Sequence, residues 1–225
     1  MKNYIIQKMY NPLINFIKKS YALMGFVAFF YSSTINPSFA ESKFLNQYPQ
    51  EINKIENFLN NIKNLTCHFI QNSNGNVVEG KFYLSRNKES SGKMRIEYLT
   101  DPKVLIVVNG AILSYYDIEL DEISRLSTNT TPASFLTRPN ISFTAKDVEI
   151  TNIIKNNNEI KISVMKKNRK EAGEFSLIFK LDPFEFIKME VKNDLEQIIS
   201  VQLKNIDFQS KISDKLFILK NNDNE

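Results

Sequence analysis

One cysteine, one histidine, no tryptophan and six glycines occur in 225 residues. The single thiol, Cys67, excludes a disulfide within the chain, and its apolar surroundings read as a small buried side chain rather than a nucleophile. The single imidazole, His68, falls on an alternating stretch and reads as a sheet-surface residue rather than a catalyst. Zinc-ligand spacings, glycine-rich phosphate loops and nucleophile elbows are missing. Asp117, Glu119, Asp121 and Glu122 share one loop but lack the ligand spacing and glycine of a calcium loop, so a solvated turn is expected. No metal, no cofactor and no enzymatic activity are expected.

Net charge is equally uninformative once it is located. The formal +4 arises from Lys2, Lys8, Lys18 and Lys19, which precede the first acid, Glu41; the rest of the chain carries 25 basic and 25 acidic side chains. Nothing steers that remainder to nucleic acid. Long apolar runs are also absent. The run 21–31 spans about 11 residues, well short of the ~20 needed to cross a bilayer.

That run has a different reading. Lys18-Lys19-Ser20 precedes it, Asn36-Pro37 follows it, and Ser38-Phe39-Ala40 supplies small residues where a signal peptidase needs them. The order predicts a secretory signal peptide over 1–40 and an exported chain over 41–225. An uncleaved anchor or a buried helix is the alternative. No cysteine follows the cleavage site, so no lipid attaches there.

The exported part begins with a helix. Ile52, Ile55, Phe58, Leu59, Ile62 and Leu65 recur at three- and four-residue steps, and Pro49 suits the first turn. The period then becomes two. Strands are expected at 66–71, 77–85, 93–99, 104–108, 111–116, 122–126, 147–154, 159–165, 174–181, 184–192 and 197–208, with a short further one at 217–219. Asn74-Gly75 and Asn109-Gly110 are hairpin signals. Thr131-Pro132 opens a short helix through Phe135-Leu136. The basic run 166–170 reads as a soluble loop, or more sharply as a patch for an anionic surface. About eleven strands joined by short turns must be antiparallel, and a sheet of that size curls. The expected fold is mainly β with helices: a curved antiparallel sheet or half-barrel with helices over its concave face.

Apolar surface is in excess, with 17 phenylalanines and nine tyrosines. Phe82, Leu84, Met94, Ile96 and Tyr98, with Leu105 and Val107 from the next strand, are candidates for a concave apolar wall. Ile55, Phe58, Leu59 and Ile62, together with Phe135 and Leu136, are candidates for its lid. A plainly packed core is the alternative; Thr/Ser/Asn-rich hinges favour a removable cover.

Several segments resemble a known family. They are Phe69-Ile70-Gln71, the strand from Gly80 to Arg86, Met94-Arg95-Ile96-Glu97-Tyr98 followed by Pro102, the 105–110 run ending in Asn109-Gly110, Tyr115-Tyr116-Asp117, and Thr131-Pro132 with Phe135-Leu136. In this order they resemble the LolA family of periplasmic outer-membrane lipoprotein carriers. The resemblance implies an unclosed antiparallel barrel of about eleven strands under a helical lid, with acyl chains bound in the cavity. It implies a monomeric periplasmic chaperone of lipoprotein transport with three partners: acylated lipoproteins, an inner-membrane ATP-driven lipoprotein-releasing transporter and an outer-membrane acceptor. The family's latch arginine, which bonds lid backbone, falls on Arg86, and Arg95 could share its role. Two departures stand out: the residue after the latch is Asn87 rather than proline, and the loop to Gly92 is longer than usual. Members of the same fold also bind other lipids or sense envelope stress, which is the alternative function.

Overall fold

The computed structural model describes residues 43–193 and 196–219. The expected signal peptide lies outside the described residues. Helix α1 (Pro49–Asn61) begins with proline at its first turn and buries Ile52, Ile55 and Leu59 on one stripe. Glu51 in that turn bonds Lys155 at 2.5 Å, an acid placed where the helix dipole favours it.

Eleven strands follow: β1 (Asn64–Ser73), β2 (Asn76–Ser85), β3 (Lys93–Tyr98), β4 (Val104–Asn109), β5 (Ile112–Asp117), β6 (Glu122–Ser127), β7 (Val148–Lys155), β8 (Glu159–Lys166), β9 (Glu174–Lys180), β10 (Glu185–Lys192) and β11 (Ile198–Asp207). They form one antiparallel sheet in the order β6-β5-β4-β3-β2-β1-β11-β10-β9-β8-β7. The first and last strands pair at the centre, with Phe69 opposite Leu203. The two edges, β6 and β7, are consecutive in sequence and are not paired with each other. The barrel is therefore unclosed, and the chain between its edges, 128–147, must cross its mouth.

Turn chemistry sets the hairpins. Asn74 and Gly75 both take positive φ, 52° and 83°, as a two-residue hairpin turn between twisted strands requires. In the second hairpin Asn109 pairs with Ile112, so the turn is Gly110-Ala111, one residue later than expected. Asn109 instead spends its side chain on the carbonyl of Phe217 at 3.3 Å. The expected strand at 217–219 is absent: Asp214–Phe217 is a 3₁₀ turn. Ser213 accepts from the Lys215 amide at its start, and a capped turn leaves no extended backbone to pair.

Two apolar clusters result. The larger lies on the concave face and joins α1, the inner residues of the sheet and the segment 135–143. The smaller lies on the outer face, where Leu105, Val107 and Phe217 are buried together beneath the C-terminal segment.

Candidate functional site

Phe82, Leu84, Met94 and Tyr98 face inward in the large cluster, joined by Val104, Ile106 and Val108 of β4 and by half-buried Ile96. Leu105 and Val107 do not: they belong to the outer cluster, against Phe217. All five residues from Val104 to Val108 are buried, so β4 shows no apolar alternation from which a face could be read. Arg95 is likewise on the outer face, donating to Glu97 at 2.6 Å and to the Leu216 carbonyl at 2.8 Å. It straps the C-terminal segment down and takes no part in the lid.

The lid is held from above and below. Ile55, Leu59 and Ile62 come from α1 and its exit, with Phe58 half-buried beside them. Phe135 and Leu136 come from the 3₁₀ segment Pro132–Thr137, and Ile141 and Phe143 from the loop after it. These four are at most 3% exposed, and they fill the concave interior. The space left beside Phe135, between Val148, Val164 and Phe175, is about 10 Å³. In this state the chain's own lid side chains occupy the interior.

Arg86, 8% exposed, follows directly on β2 and ties these pieces together. Its Nη1 donates to the Leu59 carbonyl at 2.5 Å, and its Nε and Nη2 to the Arg138 carbonyl at 3.1 and 2.7 Å. Longer contacts of 3.4 Å reach Asn60 Oδ1 and the Pro139 carbonyl. The Leu59 carbonyl at the end of α1 thus takes a guanidinium donor in addition to the 3.3 Å bond from the Ile62 amide that closes the helix. These partners are neutral oxygens, and burial draws the Arg86 pKa below its ordinary value. The cation is thus held by carbonyl dipoles, with no carboxylate among its hydrogen-bond partners.

Asn87 organises the departing loop. Its Oδ1 accepts from the amides of Glu89 and Ser90 at 3.1 and 2.7 Å. The loop returns at Gly92, whose amide donates to the Thr137 carbonyl at 2.6 Å. A β-carbon there would lie 2.8 Å from Arg86 Cγ and 3.3 Å from Thr137 Cα, so any larger residue would have to displace the Arg86 stem.

Three contributors were not visible in the sequence. Asn60 exchanges two 2.8 Å hydrogen bonds with the backbone of Ile141. Glu56 accepts from the Phe143 amide at 2.6 Å and Ser142 Oγ at 3.1 Å. Both lie one turn apart on α1, where polar side chains beside an apolar stripe look merely solvated. Arg138 grips Asp147 with both terminal nitrogens, at 3.0 and 2.5 Å, joining the lid to the start of β7. The guanidinium's hydrogen bonds hold the Asp147 carboxyl below its ordinary pKa. Cys67 is buried, which pushes its thiol up to about 12 and leaves it no nucleophile at neutral pH. Asp117 and Asp121 serve their own turn, accepting from the Glu119 and Leu120 amides and from the Tyr116 hydroxyl. Among the described residues no three His, Cys, Asp or Glu side chains could hold a metal, and no helix is long and apolar enough to cross a membrane.

An unclosed antiparallel barrel whose concave apolar face is covered by a latched helical lid defines a class of binding folds. The chain belongs to the LolA family: the family model "Outer membrane lipoprotein carrier protein LolA" matches residues 60–220. Over 171 residues it is 25% identical to an uncharacterized protein of Rickettsia prowazekii (strain Madrid E), covering 76% of each chain. Among solved structures it is similar to a putative outer membrane lipoprotein-sorting protein domain from Vibrio parahaemolyticus, at 8% identity and a TM-score of 0.49, covering 74% of this chain and 94% of that one. A LolA superfamily protein from Nitrosomonas europaea gives 11% identity and a TM-score of 0.41 over 75% and 97%.

Proposed function

We propose that this protein is a periplasmic carrier that shields the acyl chains of lipoproteins on their way from the inner to the outer membrane, and that it performs no chemistry. Loading by an inner-membrane ATP-driven transporter and unloading by an outer-membrane acceptor belong to the same reading. The observation that carries it is the Arg86 latch, which binds α1 to 138–139 across an apolar concave face.

A filled interior serves such a cycle. Each buried acyl CH₂ gains roughly 0.8 kcal/mol, so a sixteen-carbon chain would gain on the order of 12 kcal/mol. Returning four large lid side chains to water costs roughly 6–12 kcal/mol at 1.5–3 each. The two offset each other within a few kcal/mol, which keeps binding reversible. The lid acts as a stand-in cargo that each acyl chain must displace.

A second reading is an envelope module of the same fold, either a stress sensor whose packed interior is permanent or a binder of a different lipid cargo. Titration of the exported chain with a fluorescent fatty acid separates them. Saturable binding that strengthens in Arg86→Leu is expected of a latched carrier. Absence of binding in both proteins would refute the carriage of acyl chains. Acylated protein co-purifying from periplasm would distinguish lipoprotein from free lipid.

A further inference from the structure

Beside the lid, between α1 and the β10–β11 end of the sheet, lies a cleft of about 370 Å³. Phe58, Phe184, Phe186, Leu203, Ile206 and Phe208 form its apolar walls. Its size falls in the ordinary range for small-molecule sites, roughly 300–1,000 Å³. Phe58 is its hinge stone: its ring meets those of Phe179, Phe184 and Phe208 edge-on, at 5.7, 5.5 and 5.8 Å. Phe179, fully buried on the concave side, stacks on both Phe184 and Phe186 at 5.2 and 5.0 Å. The aromatic surface therefore runs without a break from solvent to the core beneath the lid. At the outer end Phe208 is 42% exposed, a large apolar ring left in water.

The rim is polar and more basic than acidic. Lys54 Nζ sits 4.3 Å over the Phe184 ring, and Lys204 and Glu185 both line the cleft. An apolar floor beneath a basic lip matches an amphiphile whose tail lies inward and whose oxygen-rich head stays at the lysines. No Arg86 bond needs to break for the cleft to be reached, because its walls come from α1 and the ends of β10 and β11 rather than from 135–143.

We infer that this cleft is the door through which a fatty acyl chain first enters, lodging against Phe184 and Phe208 while the lid is still latched. The inference rests on the carrier reading. Once seated, the chain shares its wall with Phe58, on the helix that Arg86 holds, so deeper penetration shifts α1 and strains the latch from the side. Cargo thereby opens its own lid.

The absence of tryptophan makes the test direct, since one introduced indole is the only emitter of its kind. Phe208→Trp reports on the door and Phe135→Trp on the interior. Each is titrated with hexadecanoic acid brominated on its chain, which quenches a neighbouring indole. The expected result is quenching at 208 at about tenfold lower concentration than at 135. Adding Arg86→Leu should bring the two together. Quenching at 135 as early as at 208, or quenching that stays at 208 even without Arg86, overturns the door. Quenching at neither position overturns the carrier reading itself. Should Phe135→Trp fail to fold, exposed Phe208 can be changed to Asp instead. Uptake of a fluorescent fatty acid should then slow about tenfold, because the charge must be desolvated by the arriving chain. Unchanged uptake would overturn the proposal.

Discussion

Replacing Arg86 by leucine removes three hydrogen bonds of 2.5 to 3.1 Å and two of 3.4 Å in one step. Leucine matches the apolar stem but donates nothing. A hydrogen bond to a charged group contributes roughly 1.5–3 kcal/mol net, and the three short ones share only two acceptors, Leu59 and Arg138. The closed state should therefore lose about 3–6 kcal/mol relative to the open one, part of which the freed carbonyls recover from water. Because the cost falls on closure, the amides of Ile141 and Phe143, bonded to Asn60 and Glu56, should exchange with solvent ~100-fold faster or more, while central strands β1 and β11 stay protected. The melting temperature should fall by roughly 6–24 °C, at 2–4 °C per kcal/mol for this size. Arg86→Lys keeps the charge without the fork and should fall between the two. Hydrogen exchange read by mass spectrometry over 135–143 decides the matter. Protection there equal to the native protein's would refute the latch, whatever the melting temperature did. Carriage adds a functional readout: the unlatched protein should retain cargo rather than pass it on.

Three further perturbations separate the lid from its surroundings. Gly92→Ala brings a β-carbon to 2.8 Å from Arg86 Cγ and should destabilise by about 1–3 kcal/mol, measured in urea, with the exchange signature of a weakened latch. Asp147→Asn tests the Arg138 staple: the folded carboxyl is held below its ordinary pKa, so its contribution is present above about 4 and fades as pH falls through the lowered folded value. The melting difference between native and variant should thus be present at pH 7 and shrink steadily as the pH falls below about 4; a difference that does not shrink in acid would contradict this linkage. Arg95→Met should speed exchange over 212–219 and leave fatty-acid binding unchanged, since its bond to Leu216 lies on the outer face.

The strand plan was legible because most strands bury one face only. β1 alternates along its length, and so does the half of β2 that contains Phe82 and Leu84. Legibility failed where burial came from distant chain. β4 is buried on both faces because the C-terminal segment covers the outer one, so Leu105 and Val107 carry the composition of lining residues without the position. The latch was legible only through family resemblance: nothing near Arg86 in sequence indicates that Leu59 lies on one side of it and Arg138 on the other. Asn60 and Glu56 were hidden for the same reason, since their partners are more than eighty residues away.

The lid is anchored at both ends to the two unpaired margins of the sheet, β6 and β7. Side-chain ties run from the crossing segment to the β7–β8 side, from Lys166 Nζ to the Asn129 carbonyl at 3.2 Å and from Arg138 to Asp147. The gap can therefore widen without breaking a single rung of the sheet. On the carrier reading such a cover would work less like a hinged flap than like a drawstring, with the bulk of the cargo setting how far the bag opens.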